Sequence, residues 1–240
     1  MRALVTRPRE DAESVAGELR RRGLDVMVEP LLDIVPVAGA AVDAAGLQGI
    51  LATSANGIRA LARVLADRDL PVWAVGDASA RVARDLGYRR VESAGGDVDT
   101  LAALVAGRVD PAAGTLLHAA GGTVAGDLAG RLGGAGFQVR RVALYEARAA
   151  ARLSAELAQA LNAGGVDLAL FFSPRTAATF ATLVAADGLA ARCGRVAAYA
   201  LSPAVAGKLA ALSWRSVTTA AAPTQAALLA ALDHDLARQG

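Results

Sequence analysis

Short apolar runs alternate along this chain with longer stretches whose apolar residues recur at helical spacing. We predict strands at residues 3–5, 26–28, 49–52, 72–75, 116–117, 139–144, 168–172 and 195–200. Residues 11–22 and 56–65 instead place their apolar side chains on one face of a helix. Gly23, Gly87 and Gly136 follow predicted helices, where glycine can adopt the left-handed conformation that ends a helix. Alternation of strands and helices predicts α/β units with parallel sheets covered on both faces.

The pattern occurs twice, in an order that suggests two lobes. Residues 3–26 are echoed by residues 116–139 at a constant offset of 113, and residues 50–101 are echoed by residues 170–228. The chain therefore reads A, B, A′, B′. Two similar doubly wound lobes imply a cleft between them, and a ligand is expected in such a cleft.

Two connecting segments lie outside the repeats and both look extended. Residues 32–37 join A to B, and residues 145–149 join A′ to B′. Periodicity alone does not decide whether A folds with B or with B′.

Composition narrows the class of protein. Of 240 residues 54% are hydrophobic but only 4% aromatic, so the core is expected to consist mainly of Ala, Val and Leu. The apolar runs are far shorter than the ~20 residues that span a bilayer, and a strand predicted directly after Met1 leaves no room for a signal peptide. The lone Cys193 fits a reducing compartment. A formal charge of +2 with scattered basic residues gives no sign of a nucleic-acid partner, so we expect a cytoplasmic protein without membrane or nucleic-acid contacts.

Polar residues and glycines follow the predicted strands. These segments read Thr6-Arg7-Pro8, Thr53-Ser54-Ala55-Asn56-Gly57, Gly76-Asp77-Ala78-Ser79, Gly121-Gly122-Thr123, Ser173-Pro174-Arg175-Thr176 and Ser202-Pro203. Ligands of α/β sheets bind at this edge, where the N–H groups and dipoles of helix N-termini favour anions. Ser173 and Ser202, each followed by proline, are predicted N-caps. A ring of such termini would suit a ligand with several carboxylates, although each residue taken alone could simply cap a helix.

Familiar catalytic sets are not evident in the sequence. His118, predicted in a strand, and His234 lack metal-ligand spacing, and Cys193 is expected just before the strand at residue 195. Tyr145 stands out because it is predicted to end the A′ strand and because Leu32 occupies the equivalent position in A. Its phenol could donate a hydrogen bond or act as an acid, or could merely anchor the connector.

A rival interpretation comes from the glycines of residues 121–126, which follow a strand and suggest a dinucleotide-binding loop. Their spacing misses G-x-G-x-x-G, and the other repeat copy has Arg7-Pro8 there, so this evidence is weak.

Taken in order, six segments resemble the landmarks of the uroporphyrinogen-III synthase family. They are Val5-Thr6-Arg7-Pro8, Thr53-Ser54-Ala55-Asn56-Gly57, Ala74-Val75-Gly76-Asp77-Ala78-Ser79, Val142-Ala143-Leu144-Tyr145-Glu146, Phe171-Phe172-Ser173-Pro174 and Pro223-Thr224-Gln225. The resemblance implies a lyase that needs no cofactor or metal and cyclises hydroxymethylbilane to uroporphyrinogen III, inverting ring D through a spiro intermediate. It also implies that A pairs with B′, giving domains 1–34 with 149–240 and 35–148, joined by a two-stranded extended linker.

The resemblance further implies roles for individual residues. Tyr145 matches the family's acid, and we expect the following residues to bind the substrate: Arg7, Thr53, Ser54, Asn56, Gly76, Ser79, Ser173, Arg175 and Ser202. A monomer is expected, with hand-over of substrate from the preceding deaminase. The alternative from another class is a non-catalytic two-lobed protein that binds or senses a small anion.

Overall fold

The computed structural model of the chain describes residues 1–122 and 126–238. In chain order the strands are β1 Arg2–Val5, β2 Asp25–Val28, β3 Leu32–Pro36, β4 Leu47–Ala52, β5 Val72–Ala74, β6 Val91–Ser93, β7 Thr115–Gly121, β8 Gln138–Ala149, β9 Leu168–Phe171, β10 Ala197–Ala200 and β11 Ser216–Thr219. The helices are α1 Arg9–Arg21, α2 Ala55–Val64, α3 Asp77–Asp85, α4 Val98–Arg108, α5 Leu128–Gly134, α6 Ala155–Ala163, α7 Pro174–Ala186, α8 Pro203–Leu209 and α9 Gln225–Ala237. The predicted α/β fold with parallel sheets is confirmed.

Contacts divide the chain into two compact units. Unit 1 comprises Met1–Asp33 and Arg148–Gly240, and unit 2 comprises Ile34–Ala147. Unit 1 contains a five-stranded sheet in the order β11-β10-β9-β1-β2, in which every neighbouring pair is parallel. The sheet of unit 2 has the order β3-β8-β7-β4-β5-β6, in which the strands from β8 to β6 are parallel.

Each sheet has an apolar layer on both faces because side chains alternate along a strand. In unit 1, Leu4 packs with α6 and α7 on one face, whereas Val5 packs with α1 and α9 on the other. In unit 2, Ile50 packs with α2 and α3, whereas Leu51 packs with α4 and α5. We refer to these two layers of unit 2 as the α2/α3 face and the α4/α5 face.

The strands β3 and β8 are the segments at which the chain passes between the units. The Val37 N–H donates to the Leu144 carbonyl (3.0 Å), and the Ala150 N–H donates to the Leu31 carbonyl (3.0 Å). Residue numbers rise along one strand as they fall along the other, so the two strands run antiparallel.

Helix ends follow the sequence prediction more closely than strand ends do. Gly23 and Gly136, which are equivalent in the repeat, have φ values of 75° and 87°, so the predicted left-handed conformation is confirmed. The strand predicted from residue 195 begins instead at Ala197, because Ala190–Arg195 form a 3₁₀ turn that includes the buried Cys193. Tyr145 does not end its strand, since β8 continues to Ala149 along β3.

No helix among the described residues is long and apolar enough to cross a membrane.

Candidate functional site

The carboxyl ends of β4 and β5 lie level at one edge of the unit 2 sheet, and β7 continues to Gly121 at the same edge. The register pairs Ala52 at the end of β4 with Ala74 of β5 and Ala119 of β7. The predicted segments at Thr53 and Gly76 therefore leave the sheet at the same edge, where ligands of α/β sheets bind. Ser54 and Gly76 are the N-cap residues of α2 and α3.

A hydrogen bond between two hydroxyl groups joins β8 to the start of α2. The Tyr145 hydroxyl lies 3.0 Å from Ser54 Oγ, and either oxygen can be the donor. Ser54 Oγ also accepts the Gly57 N–H at 3.0 Å, which satisfies one of the N–H groups that open α2. Ser54 is therefore fixed by its helix and holds the phenol at the edge of the sheet.

A one-residue shift in the register of β7 and β8 determines the face of the sheet on which the Tyr145 side chain lies. Ala120 pairs with Ala143, but the next residue, Gly121, pairs with Tyr145, so Leu144 is the extra residue. Leu144 and Tyr145 are consecutive, yet both pack on the α2/α3 face, because a bulge interrupts the alternation of side chains. A Cβ atom at Gly121 would lie 2.9 Å from Cζ of the ring, so only glycine lets the phenol approach this closely.

Thr53, the residue before Ser54, has a partner of its own. Its hydroxyl lies 3.0 Å from His118 Nε2, and the residue His118 is 3% exposed. Burial, with a smaller contribution from the positive charge of Arg141, lowers the pKa of His118 from 6.5 to about 4. The imidazole is therefore neutral at physiological pH.

Arg141 holds the end of β7. Its NH2 group donates to the carbonyls of Gly121 (2.7 Å) and Gly122 (2.8 Å). Thr123, Val124 and Ala125, which complete the glycine segment of the dinucleotide interpretation, lie outside the described residues.

Two further predicted binding residues of unit 2 are positioned within their helices. Asn56 lies in the first turn of α2, where its side-chain oxygen accepts from Arg59 at 2.9 Å. Ser79 lies in the first turn of α3 and is buried. The Asn56 side chain is therefore held within the first turn of α2.

Unit 1 has its own group of polar residues after its strands. Ser173 caps α7 by accepting the Thr176 N–H at 3.1 Å, and its hydroxyl lies 2.7 Å from the Thr176 hydroxyl. The Arg7 guanidinium lies 4.6 Å from the ring centre of Phe172 and donates to the Gln225 side chain at 3.2 Å. Packing thus fixes the orientation of this cation.

Ser173 and Ser202 are both N-cap residues followed by proline, as predicted, but only Ser173 caps its helix through its side chain. Ser202 precedes α8, but its side chain makes no capping hydrogen bond within the described chain. The next residue, Pro203, lacks an N–H, and Val205 N–H and Ala206 N–H both donate to the Ser202 carbonyl. Arg175 is exposed in the first turn of α7.

Four described helices that follow the parallel strands have an acidic residue neither at the N-cap nor in the first turn. They are α2, α7, α8 and α9. The positive ends of their dipoles are therefore not offset by a local carboxylate, which suits the binding of anionic groups. In the described part of the chain, no group of three or more His, Cys, Asp or Glu side chains could hold a metal ion.

Comparison with protein families decides between the interpretations of the sequence. The family model for uroporphyrinogen-III synthase HemD matches residues 13–230. The chain belongs to the uroporphyrinogen-III synthase family. This family consists of cyclising lyases of tetrapyrrole biosynthesis, so the chain is an enzyme that acts on a small molecule. The non-catalytic binding protein is not favoured.

Solved structures of uroporphyrinogen III synthases share the fold. The uroporphyrinogen-III synthetase of Helicobacter pylori superposes with a TM-score of 0.64 at 15% identity, covering 98% of this chain and 100% of that chain. A mutant uroporphyrinogen III synthase of the extremely thermophilic bacterium Thermus thermophilus superposes with a TM-score of 0.54 at 18% identity, covering 99% of both chains. No curated protein matches this member of the synthase family by sequence.

Sequence reasoning missed His118, Arg141 and the approach of Tyr145 to Gly121. His118 and Thr53 are 65 residues apart, so no local spacing links them. The arrangement of β4 next to β7 brings them together.

Proposed function

We propose that this synthase-family enzyme converts hydroxymethylbilane to uroporphyrinogen III without a cofactor. The reaction takes place at the edge of the unit 2 sheet where the Tyr145 and Ser54 hydroxyls lie, which we call the unit 2 edge. The observation that supports this location is the Tyr145–Ser54 hydrogen bond of 3.0 Å at the carboxyl ends of parallel strands. Both residues fall within the range that the family model matches.

In the proposed reaction, Tyr145 acts as the acid. Its phenol gives a proton to the terminal hydroxyl on the ring A methylene carbon, the carbon–oxygen bond breaks, and water departs. This leaves an electrophilic azafulvenium cation on the substrate and a phenolate on Tyr145. The substituted carbon of ring D attacks the ring A methylene carbon and forms a spiro intermediate. The bond from that ring D carbon to the methylene carbon of ring C then breaks, and the unsubstituted α-carbon of ring D attacks the freed ring C methylene carbon, which closes the ring with ring D inverted. Loss of the proton on this attacking carbon restores the pyrrole and reprotonates the phenolate.

Ser54 supports the acid in this scheme. Because its oxygen already accepts from the Gly57 N–H, its own proton is available to Tyr145 when the phenol has lost its proton. A fixed hydroxyl donor stabilises the phenolate without reorganisation.

The carboxylates of the substrate would bind at the helix N-termini. In unit 2 the proposed binding residues are Thr53, Ser54, Asn56, Gly76 and Ser79, and in unit 1 they are Arg7, Ser173, Arg175 and Ser202. The lack of acidic residues in the first turns of α2, α7 and α8 supports this assignment. Each unit would contribute separately to binding.

An assay that resolves the product isomers tests the function. The wild type supplied with hydroxymethylbilane is expected to form the type III isomer, whereas formation of the type I isomer alone would reject the proposal. The open chain can close unaided to type I, so a control without enzyme sets the background.

Two of the three tyrosines of the chain provide a matched test of the acid. Tyr145→Phe is expected to lower turnover at least tenfold, because loss of a general acid commonly costs ~10²–10⁴-fold. Tyr88→Phe is the control, since the Tyr88 hydroxyl is buried without a hydrogen-bond partner among the described residues of the same unit. Equal turnover of the two variants would reassign Tyr145 to a structural role.

We propose domains 1–34 with 149–240 and 35–148, a division that the two contact units support. We also propose a monomer in the cytoplasm that receives its substrate from the preceding deaminase; of these features, the lone Cys193 supports only a reducing compartment.

A further inference from the structure

His118 is a polar side chain embedded in the middle of the unit 2 sheet. The register of β7 with its neighbours places Leu51 on one side of it and Arg141 on the other. Leu51 packs on the α4/α5 face, together with Leu116, two residues before His118 on the same strand. Because side chains alternate along a strand, His118 also points to the α4/α5 face.

This imidazole meets Thr53 at the edge of the sheet. The Nε2–Oγ1 distance is 3.0 Å, the residue His118 is 3% exposed, and Thr53 is half-buried. A threonine hydroxyl turns freely about its Cβ–Oγ1 bond unless a partner fixes the position of the proton. His118 is that partner.

The neighbouring residue, Ser54, is held from the opposite face. Tyr145 packs on the α2/α3 face and bonds to Ser54, whereas His118 bonds to Thr53 from the α4/α5 face. The two hydroxyl groups that follow β4 are therefore each fixed by one side chain, and the two side chains come from opposite faces of one sheet.

We propose that His118 is a positioning residue for the reaction, which fixes the Thr53 hydroxyl toward a carboxylate or pyrrole N–H of the substrate. The imidazole acts through Thr53 and does not contact the substrate. This inference rests on the proposed function of the unit 2 edge.

Two other roles for a buried histidine fit the structure less well. A general base needs access to the substrate and affinity for a proton, but His118 is 3% exposed and has its pKa lowered to about 4 by burial and by Arg141. A metal ligand needs companions, and the described residues include no cluster of His, Cys, Asp or Glu that would provide them.

A double-mutant cycle on turnover tests the proposal. The variants are Thr53→Val, His118→Leu and the double variant, each assayed for kcat and KM with hydroxymethylbilane. We expect each single variant to lower kcat/KM about fivefold or more, and the double variant to be no slower than Thr53→Val alone. Thermal stability serves as the second readout, because a purely structural histidine would lower the melting temperature without coupling to Thr53 in turnover.

Matched substitutions sharpen the cycle. In His118→Gln the side-chain amide can still reach Thr53, so this variant is expected to recover most of the activity lost in His118→Leu. His234→Leu, at an exposed position of α9, controls for the loss of an imidazole. A double variant that is slower by the product of the two single effects would overturn the proposal, as would wild-type turnover in a folded His118→Leu protein.

NMR of the wild type avoids dependence on the folding of His118→Leu. The chain has 2 histidines, so selective ¹⁵N labelling resolves His118 from His234. We expect His118 to be a single neutral tautomer. The ¹⁵N chemical shifts of its ring should differ from the wild type in Thr53→Val but not in Tyr145→Phe. A mixture of His118 tautomers whose spectrum is unchanged in Thr53→Val would refute the contact between His118 and Thr53. Normal turnover of Tyr145→Phe would count against the proposed acid and leave the His118 test unaffected.

Discussion

Replacing His118 by glutamine should make unit 2 less sensitive to acid. The pKa of His118 is lowered to about 4 in the folded protein, first by burial and then by Arg141, whereas an unfolded histidine titrates near 6.5. Between these values the unfolded chain binds a proton that the folded chain does not. Folding stability is therefore unaffected above pH 6.5 and falls as the pH is lowered below it.

The size of the effect follows from the two pKa values. At ~1.4 kcal/mol per pH unit, the full loss is about 3 kcal/mol well below pH 4, and about 2 kcal/mol is already lost at pH 5. Glutamine has a similar reach and does not titrate, so His118→Gln lacks this component. The free energy of unfolding of the wild type should thus fall by about 2 kcal/mol more than that of the variant between pH 7.5 and pH 5.

Urea unfolding followed by tryptophan fluorescence measures this difference. Trp73 lies in β5 of unit 2 and Trp214 lies in unit 1, so a Trp214→Phe background makes the signal report on unit 2. His234→Gln in the same background is the control, because it removes an exposed imidazole of unit 1, outside the unit on which the signal reports. Equal pH dependence of the parent and His118→Gln, within about 0.5 kcal/mol, would refute a neutral buried imidazole.

Two further substitutions test the orientation of the Tyr145 side chain and the core of unit 1. Gly121→Ala should keep the fold but lower turnover several-fold in the isomer-resolved assay, because the new Cβ would lie 2.9 Å from the Tyr145 ring. Gly122→Ala is the control and should retain turnover, because its Cβ would meet no described atom closer than 4.0 Å. Tyr199→Phe should lower the free energy of unfolding by ~1–2 kcal/mol and leave turnover intact, because it removes the buried donor to Asp235 (3.0 Å); an unchanged urea midpoint would contradict this.

The strand that contains Tyr145 was only partly predictable from the sequence. The sequence predicts a strand that ends at Tyr145, but β8 continues to Ala149 beside β3. Residues 145–149 are partly or fully exposed, so their membership of the strand leaves no apolar signature. The bulge that turns Tyr145 onto the α2/α3 face depends on pairing with β7, which no local pattern specifies.

The residues that follow the strands show the same contrast between local contacts, which the sequence predicts, and contacts that depend on strand pairing. Ser54 and Ser173 cap their helices as the local pattern indicates, because an N-cap bond spans only a few residues. Thr53 and His118 are linked only through the parallel pairing of β4 and β7.

The sequence by itself determined the α/β alternation, the duplicated order of elements and the hydroxyl-bearing segments after the strands, since each depends on local periodicity or on spacing within a turn. The tertiary structure decided that Tyr145 of β8 faces Ser54 and that His118 of β7 holds Thr53, whereas Leu32, the repeat equivalent of Tyr145, lies buried in β3. The physical reason is that contacts across a sheet depend on strand order and register, and a shift of one residue moves a side chain to the other face.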